Sequence, residues 1–110
     1  MNENSLNEIE AKIRSADNLS EERKRELLQL LGTLKTEVGK LSQTHDEEAQ
    51  SIAGFAQLSA HEATRAQRNP QSLHHSLEGL RSSVEGFEKS HPRLVQIVNN
   101  ISNTLANLGI

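Results

Sequence analysis

Apolar residues fall along this chain in runs that share one spacing. Leu27, Leu31, Leu34, Val38 and Leu41 step by four, three, four, three. Leu73, Leu77, Leu80, Val84 and Phe87 repeat the pattern, as do Leu94, Val98, Ile101, Leu105 and Leu108. Leu6, Ile9, Ile13 and Ala16 form a shorter copy. Such spacing lays a narrow apolar stripe along a helix whose other faces are polar. The predicted fold class is therefore all-α: an antiparallel helical bundle with coiled-coil-like heptad seams, in one domain over residues 1–110.

Capping residues divide the pattern into helices at about 4–16, 20–41, 44–68, 70–88 and 92–108. Asn4 or Ser5 would cap the first helix, and Asp17-Asn18 would end it. Ser20 precedes Glu21 and Glu22, so its hydroxyl can take a free N–H while the two carboxylates meet the positive helix end. Thr44 and Glu47 have the spacing of a capping box, which would start a new helix. Residues 20–68 also read as a single helix. Leu41, His45, Ala49, Ala53, Ala56, Ala60 and Ala63 keep helical spacing, with an eleven-residue step from Val38 to Ala49. On either reading the middle stretch has a small-residue face that another helix could approach closely.

Asn69-Pro70 is the clearest boundary, because proline suits the first helical position after an asparagine cap. At His91-Pro92 two signals oppose each other. Proline argues for a break, while Phe87, His91 and Leu94 hold the seam in phase. A break or sharp kink is expected there, and Gly109 would supply a left-handed C-cap.

Two glycine pairs, Gly32 with Gly39 and Gly79 with Gly86, are each spaced by seven beside a seam. Each glycine costs a helix interior about 1 kcal/mol relative to alanine. A pair on one face could open a groove where the second and fourth predicted helices approach closely; tolerated surface glycines are the alternative reading. The last helix is different in surface chemistry. From Pro92 to Ile110 its only charged side chain is Arg93. Interface cores are depleted of charge, so Val95, Ile97, Ile101, Leu105 and Leu108 are the candidate interface. Filling the chain's own bundle is the alternative role for this helix.

Composition sharpens this picture. Apolar residues make up 34% of the chain and Phe55 and Phe87 are its only aromatics. A 110-residue chain buries only roughly 65% of its unfolded surface, so a thin aliphatic core would gain from self-association. A homo-oligomer, most simply a dimer, is expected, with a protein partner also possible. A net charge of −3 with both signs interspersed offers no basic block for nucleic acid. No apolar run approaches the roughly 20 residues that span a bilayer. Without cysteine there is no disulfide or zinc–thiolate chemistry. Met1-Asn2-Glu3-Asn4-Ser5 does not resemble a signal peptide, and a cytoplasmic location is expected.

No catalytic constellation emerges. There is no glycine-rich phosphate loop, and no serine–histidine–acid set can be assigned from spacing. His61-Glu62 begins like a zincin motif, but Arg65 stands where the second histidine belongs. His74 and Glu78 share a helix face beside His75, yet these fall short of a transition-metal ligand set. No metal or other cofactor is expected. A small metal- or ligand-binding bundle built on surface histidines is the alternative reading.

The run Phe87-Glu88-Lys89-Ser90-His91-Pro92-Arg93-Leu94, followed by Leu105-Ala106-Asn107-Leu108-Gly109-Ile110, resembles the small bacterial family catalogued as domain of unknown function 4404. Leu19-Ser20-Glu21-Glu22-Arg23, leading into Leu27-Leu28, is similar to that family's first half. The resemblance covers about residues 4–41 and 72–110, with 42–70 longer than in typical members. It marks Ser90, His91 and Pro92 as a signature turn. It implies a small bacterial helical protein and supplies no activity, substrate or catalytic residue. A non-enzymatic interaction or scaffold protein is the function these features favour.

Overall fold

Caps and prolines set the helix boundaries. The computed structural model describes residues 2–108, with side chains from Ser5 onward, and contains α1 (Asn2–Ser15), α2 (Glu21–Ser42), α3 (Asp46–Thr64), α4 (Pro70–Ser82) and α5 (Pro92–Leu108). The cap expected at Gly109 lies outside the described residues. Ser20 accepts the Arg23 N–H at 3.1 Å to open α2, and the Asn69 side chain accepts the Ser72 N–H at 3.1 Å to open α4. Helix α1 already runs from Asn2, so Asn4 and Ser5 do not cap it.

At two boundaries the cap or the end of a helix differs from expectation, although the first break falls between the two helices predicted at 20–41 and 44–68. The chain breaks at His45, whose φ of −137° and ψ of 65° leave the helical region, so 20–68 is two helices. The Thr44 capping box does not form. Its hydroxyl donates to the Leu41 carbonyl at 3.4 Å, and His45 stands at the cap position with no side-chain cap bond. Helix α4 stops at Ser82 rather than near Glu88. Gly86 beyond it adopts a φ of 96°, in the left-handed region that favours glycine. Val84 is nevertheless buried and Phe87 packs against the core. The seam spacing thus outlasts the helix that it predicted.

The five helices form two layers. Helix α3 touches each of the other four; α1 and α4 flank it and do not touch each other. Helix α2 rests on α1 and α3, α5 rests on α3 and α4, and α2 and α5 meet. This is a layer of α1, α3 and α4 beneath a layer of α2 and α5. Lys24 reaches the Arg14 carbonyl while Lys35 reaches Asn7 and Glu10, so α1 and α2 are antiparallel. Three- and five-residue connections turn the chain back before α3 and before α4. The result is the antiparallel all-α bundle that the seams predicted.

The central position of α3 follows from its side chains. Ala49, Ala53, Ala56, Ala60 and Ala63 line its inner face and are all buried. Alanine keeps neighbouring helix axes close, which is how one helix can meet four partners. Larger residues come from the surrounding helices, with Leu34, Val38, Leu41, Leu80, Leu94, Val98 and Leu105 fully buried. The radius of gyration, 12.9 Å, is that of a compact globule of this length, about 13 Å. A single chain therefore closes its own core.

The expected groove between α2 and α4 does not exist, because they lie in different layers at opposite edges and do not touch. Gly32, Gly39 and Gly86 each have open space where a Cβ would stand. Gly79 alone is closely packed, and its neighbour is the Phe55 ring of α3; a Cβ there would run into that ring.

Candidate functional site

The apolar face of α5, expected to carry function, faces inward. On α5, Ile97, Ile101 and Leu105 are buried in the chain's own core, and Val95 and Leu108 are half-buried against it. The physical reason is geometric. Helix α5 bridges α2, α3 and α4, so its wide apolar face is consumed in closing the bundle. Three of the five candidate interface residues thus lie in the chain's own core and two at its margin.

The signature turn is a folded clamp at one end of the molecule. The Gly86 N–H donates to a Glu88 carboxylate oxygen at 2.9 Å, and the His91 N–H donates to the Phe87 carbonyl at 2.7 Å. The His91 carbonyl accepts from Val95 at 3.3 Å as Pro92 opens α5. His91 Nδ1 lies 3.0 Å from the Ser90 hydroxyl. The Phe87 ring meets the His45 and His91 rings edge-on, with centroids 5.4 and 5.7 Å away. These contacts pin the α4–α5 connection to the α2–α3 turn. Phe87, with His91 beside it, joins the two connections, while Ser90 bonds the His91 ring and Pro92 opens α5.

The remaining histidines are dispersed. His74 and His75 are exposed on α4, their ring nitrogens 3.5 and 3.6 Å from a Glu78 carboxylate oxygen. His61 lies on α3. Among the described residues no three histidine or carboxylate side chains converge as a metal site.

The outer face of α3, between α1 and α4, is the distinctive surface. Phe55 is 37% exposed and Leu58 46%, and they are the large apolar side chains left open to solvent among the described residues. Beside them Glu47, Ser51, Gly54, Leu58, His61 and Arg65 follow one another at four-three spacing. They form a second stripe opposite the alanines, exposed except for Arg65, which is partly covered. Sequence reading missed this stripe because only one of its members is apolar. Its heptad spacing was the available signal.

A furrow follows the stripe on the α1 side. One hollow of about 320 Å³ is lined by Glu8, Lys12, Gly54, Gln57, Leu58 and His61. A second, of about 350 Å³, continues from Lys12 and His61 to Ser15, Thr64 and Arg65. Gln57 donates to Glu8 across it at 2.9 Å. The C-terminal ends of α1 and α3 both open into the second hollow. Helix C-termini carry partial negative charge, and the basic side chains there offset it. Lys24 does so directly, donating to the Arg14 carbonyl at 3.0 Å. Arg65 pairs with Glu62 at 2.9 Å. These contacts balance the charge at the helix ends.

Fold and surface together define a small two-layer α-helical protein with one apolar spot on its outer face. A family model described as domain of unknown function (DUF4404) matches residues 27–110. The chain belongs to this family. The matched range takes in 42–70, which the resemblance had left aside, and leaves α1 and the first turns of α2 outside it. No curated protein matches the chain, and no solved structure does.

Proposed function

We propose that this protein is a non-enzymatic interaction module that works by presenting the outer face of α3 to another helix. One observation carries the reading: Phe55 and Leu58 stay open to solvent in a chain too poor in apolar residues to leave them idle. Covering the exposed part of each would contribute roughly 1 kcal/mol. A helix laid between α1 and α4 would meet this pair in the manner of helix-in-groove recognition. The bacterial cytoplasm is the setting that belongs with this proposal, supported by the family resemblance and the cysteine-free composition.

The test is a photoreactive benzophenone side chain placed at Leu58 and, as a control, at exposed Asn99 of α5, in the producing cell. A covalent protein adduct at position 58 that exceeds the position-99 background is the expected result. Equal labelling at the two positions would refute a docking role for α3.

A further inference from the structure

The outer stripe of α3 is its own complement. Set two copies of α3 face to face and antiparallel, centred on residue 56. Glu47 of each copy then stands opposite Arg65 of the other. Ser51 stands opposite His61, and Gly54 opposite Leu58. Each position meets what it lacks: an acid meets a base, and the smallest residue meets the largest apolar one. We propose that the outer face of α3 pairs with the same face of a second copy of this chain, in an antiparallel two-fold dimer. This rests on the reading of that face as a docking surface and names its occupant.

Several local features suit this arrangement. A Cβ built on Gly54 meets nothing within 4 Å, so the place for Leu58 of the other copy is open. The hollow of about 320 Å³ beside it is lined by Gly54, Leu58 and His61. Among the described residues Glu47 has no ion-pair partner. Arg65 bonds Glu62 through one guanidinium nitrogen, and the group has further donors to offer. The parallel alternative would place Glu47 on Glu47 and Arg65 on Arg65, so charge selects the antiparallel pair. Antiparallel packing also sets the positive end of each helix dipole beside the negative end of the other. A two-fold pair of this kind closes on itself and does not grow into a fibre.

Light scattering coupled to size exclusion, from micromolar to about 1 mM chain, tests the pair. The expected mass is twice 12.2 kDa at the upper end, falling towards the single-chain mass on dilution. Glu47→Arg and Arg65→Glu should each weaken the dimer about tenfold, the scale of two exposed ion pairs. The double variant rebuilds both cross-pairs and should return close to the parent affinity. Gly54→Leu fills the hollow on the outer face, so it should leave the helical circular dichroism intact while giving a monomer. A parent chain that stays at 12.2 kDa throughout overturns the proposal, as does a dimer indifferent to Gly54→Leu or a double variant without rescue. A monomeric parent that still labels another protein from position 58 would sink self-pairing and leave the docking face standing. Loss of both signals would sink both.

Discussion

Ser59 on α3 and Ser102 on α5 are fully buried, and neither hydroxyl oxygen finds a hydrogen-bond partner among the described residues. Their small volume suits the close approach of helices, but an unpaired buried hydroxyl costs about 1–3 kcal/mol. Ser102→Ala should therefore raise stability by about 1 kcal/mol, read as a higher urea midpoint at unchanged slope. A loss of that size would show that the hydroxyl is bonded through water. The glycines make a paired case. Gly32 has open space around it, so Gly32→Ala should gain about 1 kcal/mol from helix propensity. Gly79→Ala must displace the Phe55 ring and should forfeit that gain in the same urea measurement. In sequence the two glycines look alike, each seven residues from another. What separates them is the side chain across the gap, and that is fixed only by tertiary packing.

The contact between α1 and α2 is electrostatic at its rim. Lys35 donates to Asn7 at 2.9 Å and to Glu10 at 3.0 Å, and Arg14 pairs with Glu10 at 2.9 Å. The Lys35 hydrogen bond first, and Arg14 second, hold the Glu10 carboxyl below its usual range. A lowered carboxylate pKa stabilises the fold above the unfolded value of about 4.3 and loses that contribution as pH falls through the lowered one. A carboxyl-carbon NMR titration of Lys35→Met should show Glu10 moving back up. An unmoved titration would mean that the contact is not kept in solution. The caps of α2 and α4 were legible beforehand, because Ser20, Asn69 and Pro70 act through their immediate neighbours. The end of α4 was not. Val84 and Phe87 keep their seam spacing while the backbone turns, so periodicity reports which residues are covered and not whether they are helical.

Across the molecule, the class of fold was written in the four seams, but the layering was not. A seam says that a helix is covered on one side without saying by which neighbour. The groove inferred between α2 and α4 failed for that reason, and α5 proved to face inward. The strongest clue to the centre was the alanine series of α3, since only small side chains let one helix serve four neighbours. Ala60, 1% exposed, tests this: Ala60→Leu should cost about 1–3 kcal/mol by overpacking, seen in urea unfolding with helical content retained. A substitution without cost would mean that the layers are looser than described. The hub position of α3 also sets an order in time. No inner turn of α3 can open while its neighbours stay in place, whereas α1 is held only by α2 and α3 and can lift away alone. In deuterium the amides of α3 should therefore exchange last, at the rate of global unfolding, and those of α1 well before them. The helix with the smallest side chains in the core would be the longest-lived part of the protein.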